Sequence, residues 1–315
     1  MTRSTAIIAG FLFVALIAAI PAALFLHEPY LISLFGRLAI LAVAGVGLNL
    51  VLGHSGLPAF GHAAFVGVGA YSVGITTLEG IPFLANGWAQ FGLAIVLGAL
   101  SATIIGALSL RTRGVAFLMI TLAFGQMLFY GAVSLERYGG DDGTTLPTSS
   151  TLAGLSLERG SIALYALSLL VLLLATYAAW RVMRSPFGAV LRGAAVNERR
   201  MQAVGIQVFR FRLAAFALSG AICGLAGALL ANHAAYVSPA NLSWMRSVEL
   251  AIVVLLGGAG TTFGPLFGAA AFVLLEEVLS GLTEHWRLIF GPLLLLVVLV
   301  APGGIAGLLS GKRDG

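Results

Sequence analysis

The chain carries little charge and almost no sulfur chemistry. Only 9% of its 315 residues are Asp, Glu, Lys or Arg, whereas charge in soluble domains runs near a quarter, so most of its length is excluded from a water-facing globular fold. The lone cysteine, Cys223, sits among small residues in an apolar run. That excludes a disulfide framework and a cysteine-based metal site, and packing is its expected role. A phosphate-cradling glycine loop ending in Lys and then Ser or Thr is also missing. Its nearest look-alike, Gly307-Leu-Leu-Ser-Gly-Lys-Arg, is one residue short, ends in arginine and lies where an apolar run ends. Any use of ATP therefore falls to a partner. His54 and His62 have no Cys, Asp or Glu beside them, so no metal is expected, nor any other cofactor.

What the chain does have is apolar length. Hydrophobic residues make up 59% and the mean hydropathy is +1.03. About 20 apolar residues in a helix span a bilayer core, and such runs fall at 6–26, 31–52, 63–78, 91–110, 115–135, 162–182, 213–231, 248–256, 265–282 and 288–309. The runs are unbroken rather than alternating, which reads as helices that satisfy their own backbone groups, not as a barrel. The expected fold is an all-α integral membrane protein: a single transmembrane domain over 1–315 with about ten transmembrane helices. The first run follows Arg3 but is too long for the core of an ordinary signal peptide, so it is read as a span.

Twelve of the seventeen basic residues, from Arg3 through Arg111, Arg113 and the 181–212 cluster to Lys312 and Arg313, fall on one side of this ten-helix arrangement. Glu28, Glu79, Glu136, Asp141, Asp142, Glu158 and Glu284 collect on the other. Basic loops mark the cytoplasmic face, so both termini are expected inside, and nucleic acid is not needed to explain the net charge of +5. Two places suggest broken or re-entrant helix: the Gly- and Pro-bearing stretch 53–61, and the short eighth run leading into Gly257, Gly258 and Gly260. Gly45, Gly47, Gly67, Gly69, Gly220, Gly224 and Gly227 are instead expected to let helices approach closely. Arg37, Glu249, Glu276 and Glu277 lie toward expected outer helix ends, where snorkelling to the interface accounts for them. A midplane charge, as an ion-coupled carrier needs, is not evident.

Two loops are long enough to carry function: an outer one at about 136–160 and an inner one at about 183–212. In the inner loop Ser185 is an N-cap, Pro186 the first helical residue and Gly205 a stop. Between them Phe187, Val190, Leu191 and Ala194 recur at helical spacing beside Arg192, Glu198, Arg199 and Arg200. Composition alone leaves two readings open, docking onto a cytoplasmic protein or lying on anionic lipid headgroups.

Ser185-Pro-Phe-Gly-Ala-Val-Leu-Arg, Asn197-Glu-Arg-Arg and Ala203-Val-Gly-Ile resemble the cytoplasmic coupling loop of the branched-chain amino-acid (LIV-type) permeases of ABC importers. The resemblance continues in chain order through Gly45-Val-Gly-Leu-Asn-Leu-Val-Leu-Gly, Gly61-His-Ala-Ala-Phe-Val-Gly-Val-Gly-Ala-Tyr, Arg113-Gly with Thr121-Leu-Ala-Phe-Gly-Gln, Gly139-Gly-Asp-Asp-Gly, Tyr236-Val-Ser-Pro and Leu256-Gly-Gly-Ala-Gly-Thr-Thr-Phe-Gly-Pro. It implies a translocation subunit of the bacterial inner membrane that is not itself an enzyme. The implied partners are a homologous second permease, two cytoplasmic ATP-binding subunits and a periplasmic solute-binding protein. Ser185, Pro186, Phe187, Gly188, Leu191, Arg192, Asn197, Glu198, Arg199 and Arg200 are then the expected ATPase-coupling interface, with Phe187 and Leu191 filling a groove of the ATPase. Asn49, Gly53, His54, Gly56, His62, Thr121, Gly257, Gly258 and Gly260 are the candidate substrate pathway, set against plain packing and interhelical hydrogen bonding. One stretch departs from the family: Leu57 and Ala59, flanking Pro58, stand where polar residues are usual. That keeps urea, a short amide or an aromatic acid as alternative solutes, with an ion-coupled secondary carrier as the reading from another class.

Overall fold

The computed structural model describes residues 10, 29–80, 86–152, 154–282, 285, 288, 290–292 and 303–310. The expected first span, apart from residue 10, and most of the last lie outside them. Ten helices are described: α1 Pro29–Asn49, α2 His62–Leu78, α3 Gly87–Ser109, α4 Val115–Val133, α5 Ile162–Met183, α6 Pro186–Ala203, α7 Val208–Ala234, α8 Trp244–Gly257, α9 Gly264–Leu282 and α10 Gly304–Ser310. α1 continues into a π-helical turn, Leu50–His54. Four two-residue strands, β1 Thr144–Thr145, β2 Thr151–Leu152, β3 Leu155–Ser156 and β4 Tyr236–Val237, make two antiparallel pairs, β1 with β4 and β2 with β3.

Among the described residues six helical stretches are long and apolar enough to cross a membrane: 30–54, 87–109, 115–133, 162–183, 208–234 and 264–282. The protein is therefore an all-α, multi-pass membrane protein. The expected short eighth run is α8, a helix of 14 residues, too short to span by itself. Burial sorts the spans: 67% of the α1 window and 61% of the α7 window are buried, against 22% for α4. α1 and α7 form the centre, and α4 presents Val115, Met119, Met127 and Tyr130 outward.

In lipid the hydrophobic effect gives little drive to helix association, so close van der Waals approach has to supply it. The seam between α7 and its neighbours α2 and α3 is built from glycine accordingly. A Cβ on Gly227 would fall 1.8 Å from the Val66 carbonyl oxygen, one on Gly69 2.0 Å from that of Gly224, and one on Gly98 2.4 Å from that of Gly220. Cys223 is fully buried on the same helix, its thiol directed at the Ala44 carbonyl at 3.7 Å, which is the packing role expected of it.

The 136–160 loop is fastened to the helix ends beneath it. Arg137 pairs with Glu79 at 2.8 Å, and the Tyr138 hydroxyl donates to the same carboxylate at 2.8 Å. That bond holds the Tyr138 pKa above the ordinary tyrosine value. The Ser150 amide donates to Asn232 Oδ1 at 2.9 Å, and its hydroxyl donates to Gln90.

Gly227→Ala is expected to lower the thermal unfolding midpoint in detergent, because overpacking against backbone costs about 1–3 kcal/mol or more. Gly92→Ala, with nothing within 4 Å of the new methyl, should leave the midpoint unchanged or raised. An equal response of the two variants would contradict the glycine seam.

Candidate functional site

Two helix breaks that are far apart in sequence meet in space. α1 ends in its π turn, the chain is irregular from Ser55 to Gly61, and α2 restarts at His62. The second break lies between α8 and α9, where Gly258 has φ 113° and Gly260 φ 76°, left-handed values that favour glycine. A helix interrupted within lipid frees backbone groups that must find partners. Asn49 supplies them: its Nδ2 donates to the Thr261 carbonyl at 2.8 Å, and its Oδ1 accepts from the Gly260 amide at 2.8 Å. Gly53 is glycine because a Cβ there would fall 2.1 Å from Asn49 Oδ1 and 2.2 Å from the Gly260 nitrogen. His54 closes the turn through Nδ1 against the Asn49 carbonyl oxygen at 3.0 Å. Gly257 lies where a Cβ would strike the Gly264 carbonyl oxygen at 1.8 Å.

The backbone groups released at Gly260 and Thr261 are thus held by a side chain rather than left open to a solute. Thr121 is fully buried; its hydroxyl donates to the Leu118 carbonyl of its own helix at 2.9 Å and accepts from the Phe60 amide, in the stretch before α2, at 3.3 Å. His62 is fully buried between Phe65 and Phe216, ring centroids 5.3 and 5.2 Å away, and neither ring nitrogen has a hydrogen-bond partner among the described residues. Ala59 is fully buried and Leu57 packs on the core, so this departure from the family's polar residues falls on packed positions.

The amphipathic helix α6 sits on this junction. Gly56 has φ 64°, and a Cβ there would lie 3.2 Å from the Ala195 Cβ. Gly188, Leu191 and Ala194 form the buried stripe of α6, and Phe187 stacks on Phe211 at 5.6 Å. Leu191 is wholly enclosed within this chain, so it fills the chain's own core rather than a partner's groove. Pro186 begins the helix, but the Ser185 hydroxyl turns back to the Val182 carbonyl at 2.6 Å instead of capping. Asn197 breaks the helix with φ −153° and caps the next turn, accepting from the Arg200 amide at 3.0 Å. Arg192 donates to the Met183 carbonyl at 2.6 Å. Glu198 is a hub: it pairs with Arg212 at 2.8 Å and Arg113 at 3.0 Å, and accepts from Gln202 at 3.0 Å. These bonds tie α6 to the starts of α4 and α7. Val196, Arg199 and Arg200 remain exposed.

Sequence reasoning missed a cavity of about 450 Å³ at the other end of the bundle, beside the 136–160 loop. Ile40, Ala44, Val66, Leu250 and Phe272 line its apolar part. Arg37, Arg159, His233, Arg246 and Glu249 stand around it as polar groups. No residue of the expected pathway set lines it. Arg37 pairs with Glu276 at 2.7 Å, Arg246 with Glu249 at 2.7 Å, and Tyr30 donates to Glu277. The charged residues expected to snorkel are therefore bonded within the protein.

Apolar spans, a polar-capped break and a helix seated on it define a polytopic all-α membrane protein. Residues 30–299 match the family described as "Branched-chain amino acid transport system / permease component", and the chain belongs to it. Members of that family are permease subunits of ABC transporters. The high-affinity branched-chain amino acid transport system permease protein LivM of Salmonella typhimurium is 28% identical over 287 residues, covering 84% of this chain and 67% of that protein. The autoinducer 2 import permease LsrC of Klebsiella pneumoniae is 30% identical over 93% of this chain and 83% of its own length. The ribose import permease RbsC of Haemophilus influenzae is 22% identical over 86% and 84%.

Replacing Asn49 by alanine removes two hydrogen bonds and leaves two backbone groups to find others, an expected loss of about 2 kcal/mol or more. Asn49→Asp keeps the acceptor for Gly260 but turns an oxygen toward the Thr261 carbonyl, so it should also unfold earlier than wild type in detergent. Wild-type melting of both variants would refute the bracket.

Proposed function

We propose that this chain is a translocation subunit of an ABC importer for branched-chain amino acids, acting in a bacterial inner membrane as a single domain over 1–315. It pairs with a homologous permease, is driven by two cytoplasmic ATP-binding subunits, and receives solute from a periplasmic binding protein. The observation that carries this reading is the seating of α6 against the break in α1, with Ala195 over Gly56. An amphipathic helix outside the spans, resting on the point where a central span is interrupted, can convert a push from a docked protein into movement of the spans. The LivM relatives support the choice of branched-chain amino acids.

In this reading the coupling segment has two faces. Gly188, Leu191, Arg192 and Glu198 hold the helix to its own chain, while Val196, Arg199 and Arg200 meet the ATPase. Ser185, Pro186 and Asn197 set where its two helical parts begin, and Phe187 braces it against α7. Asn49, Gly53, His54, Gly56, Gly257, Gly258 and Gly260 form the hinge through which movement enters the pathway. His62 and Thr121 pack the flank of that hinge.

Arg199→Glu and Val196→Asp change exposed residues. They should abolish solute-stimulated ATP hydrolysis in the purified transporter while the tagged chain still melts as wild type. Glu198→Arg, which sets a cation against Arg113 and Arg212, should lower the melting temperature as well. Full stimulation in the first two variants would remove the coupling assignment.

A further inference from the structure

The cavity has the composition of a site for an amphiphilic solute. Its wall is mostly aliphatic and aromatic, and its volume of about 450 Å³ falls within the range of small-molecule sites, roughly 300–1,000 Å³. Three arginines stand at it, from three different segments. Two are neutralised, Arg37 by Glu276 and Arg246 by Glu249. Arg159, at the end of the 136–160 loop, has no carboxylate partner among the described residues, and Arg37 and Arg246 are both directed elsewhere. The cavity therefore offers one surplus guanidinium, which is suited to a planar carboxylate. Glu249 meets Arg246 through Oε2, which leaves its Oε1 to accept from an ammonium group, and Ser238 and Asn241 add neutral hydrogen-bonding groups at the same opening. One surplus guanidinium, one carboxylate oxygen left over from an ion pair and an apolar interior complement a single kind of small molecule.

We infer that this cavity is a binding site within the permease itself for a free α-amino acid with an apolar side chain, its carboxylate on Arg159, its ammonium toward Glu249 and its side chain among Ile40, Val66, Leu250 and Phe272. The inference deepens the reading above and rests on it. It adds that the permease selects solute on its own account, by charge at both ends and by apolar fit. It also predicts that an amide or alcohol of the same amino acid, which lacks the carboxylate, is disfavoured.

The test uses the assembled transporter, purified without its binding protein, and saturation-transfer NMR with leucine and leucinamide. Wild type should contact leucine in preference to leucinamide. Arg159→Gln should reduce that preference about tenfold, the equivalent of about 1.4 kcal/mol, and Ala234→Phe, which narrows the same cavity, should weaken both ligands. Arg111→Gln, an exposed change at the α6 end, should alter neither. In parallel, leucine uptake is measured in vesicles with the binding protein present. Uptake without any leucine contact, or with a preference untouched by Arg159→Gln, overturns the site and leaves the transport reading standing. Absence of uptake of leucine, isoleucine and valine by wild type overturns the transport reading, and the site assignment with it.

Discussion

The rest of the structure depends on one rule: a backbone polar group freed inside a membrane must be bonded to something. Unbroken helices obey it by themselves. This chain breaks α1 after His54 and separates α8 from α9, and both interruptions would be costly if left apart. Bringing them together lets Asn49 serve the second break while its own carbonyl oxygen meets His54 in the first. Gly53 is the geometric price of that meeting, since the two backbones come too close there for any side chain. α6 then lies over the first break at Gly56, so the junction is covered as well as bonded.

A second constraint is charge. Few ionisable groups sit on the spans, and Arg37, Arg212, Glu276 and Glu277 among them are each bonded to a partner. Arg37 and Glu276 join α1 to α9, and Tyr30 and Glu277 join the same two helices nearer the start of α1. Glu198 joins α6 to the starts of α4 and α7. The Glu198 and Arg212 side chains are 21% and 12% exposed, so this pair is screened less than a surface one. Removing one member would leave the other poorly solvated. These pairs connect helices that sequence order keeps apart, and they act as ties more than as a charged pathway.

Local signals made much of this legible in sequence. Ser185 and Pro186 do begin a helix and Gly205 follows its end, because cap and stop preferences are properties of a few adjacent residues. The glycines of 53–61 and 257–260 flagged both breaks for the same reason. What could not be read was which distant residues answer them. Asn49 looked like a polar residue in an apolar span, and nothing near it indicates Gly260 at a separation of 211 positions. Leu191 looked like a docking residue because helical periodicity marks an apolar stripe without saying whether the chain's own core or another protein receives it. The cavity was invisible because it is assembled from α1, α2, α7, α8, α9 and two loop segments, none of which shows a concave surface on its own.

α1 links the parts. Ile40 and Ala44 line the cavity, Asn49 holds the bracket, and Gly56 lies under α6, so one strand of covalent chain passes all three in order. From Ala44 to His54 the path is helical, first α and then π, and about 1.5 Å of rise per residue puts the two roughly 15 Å apart. A rigid helix transmits displacement over that distance without needing a chain of side-chain contacts. The π turn is the irregular part of this path, of a type that is rare and recurs at functional positions. A push on α6 would therefore act first on the turn and its Asn49 bracket, and only then on the wall of the cavity. Weakening the bracket would loosen this connection while leaving both ends intact.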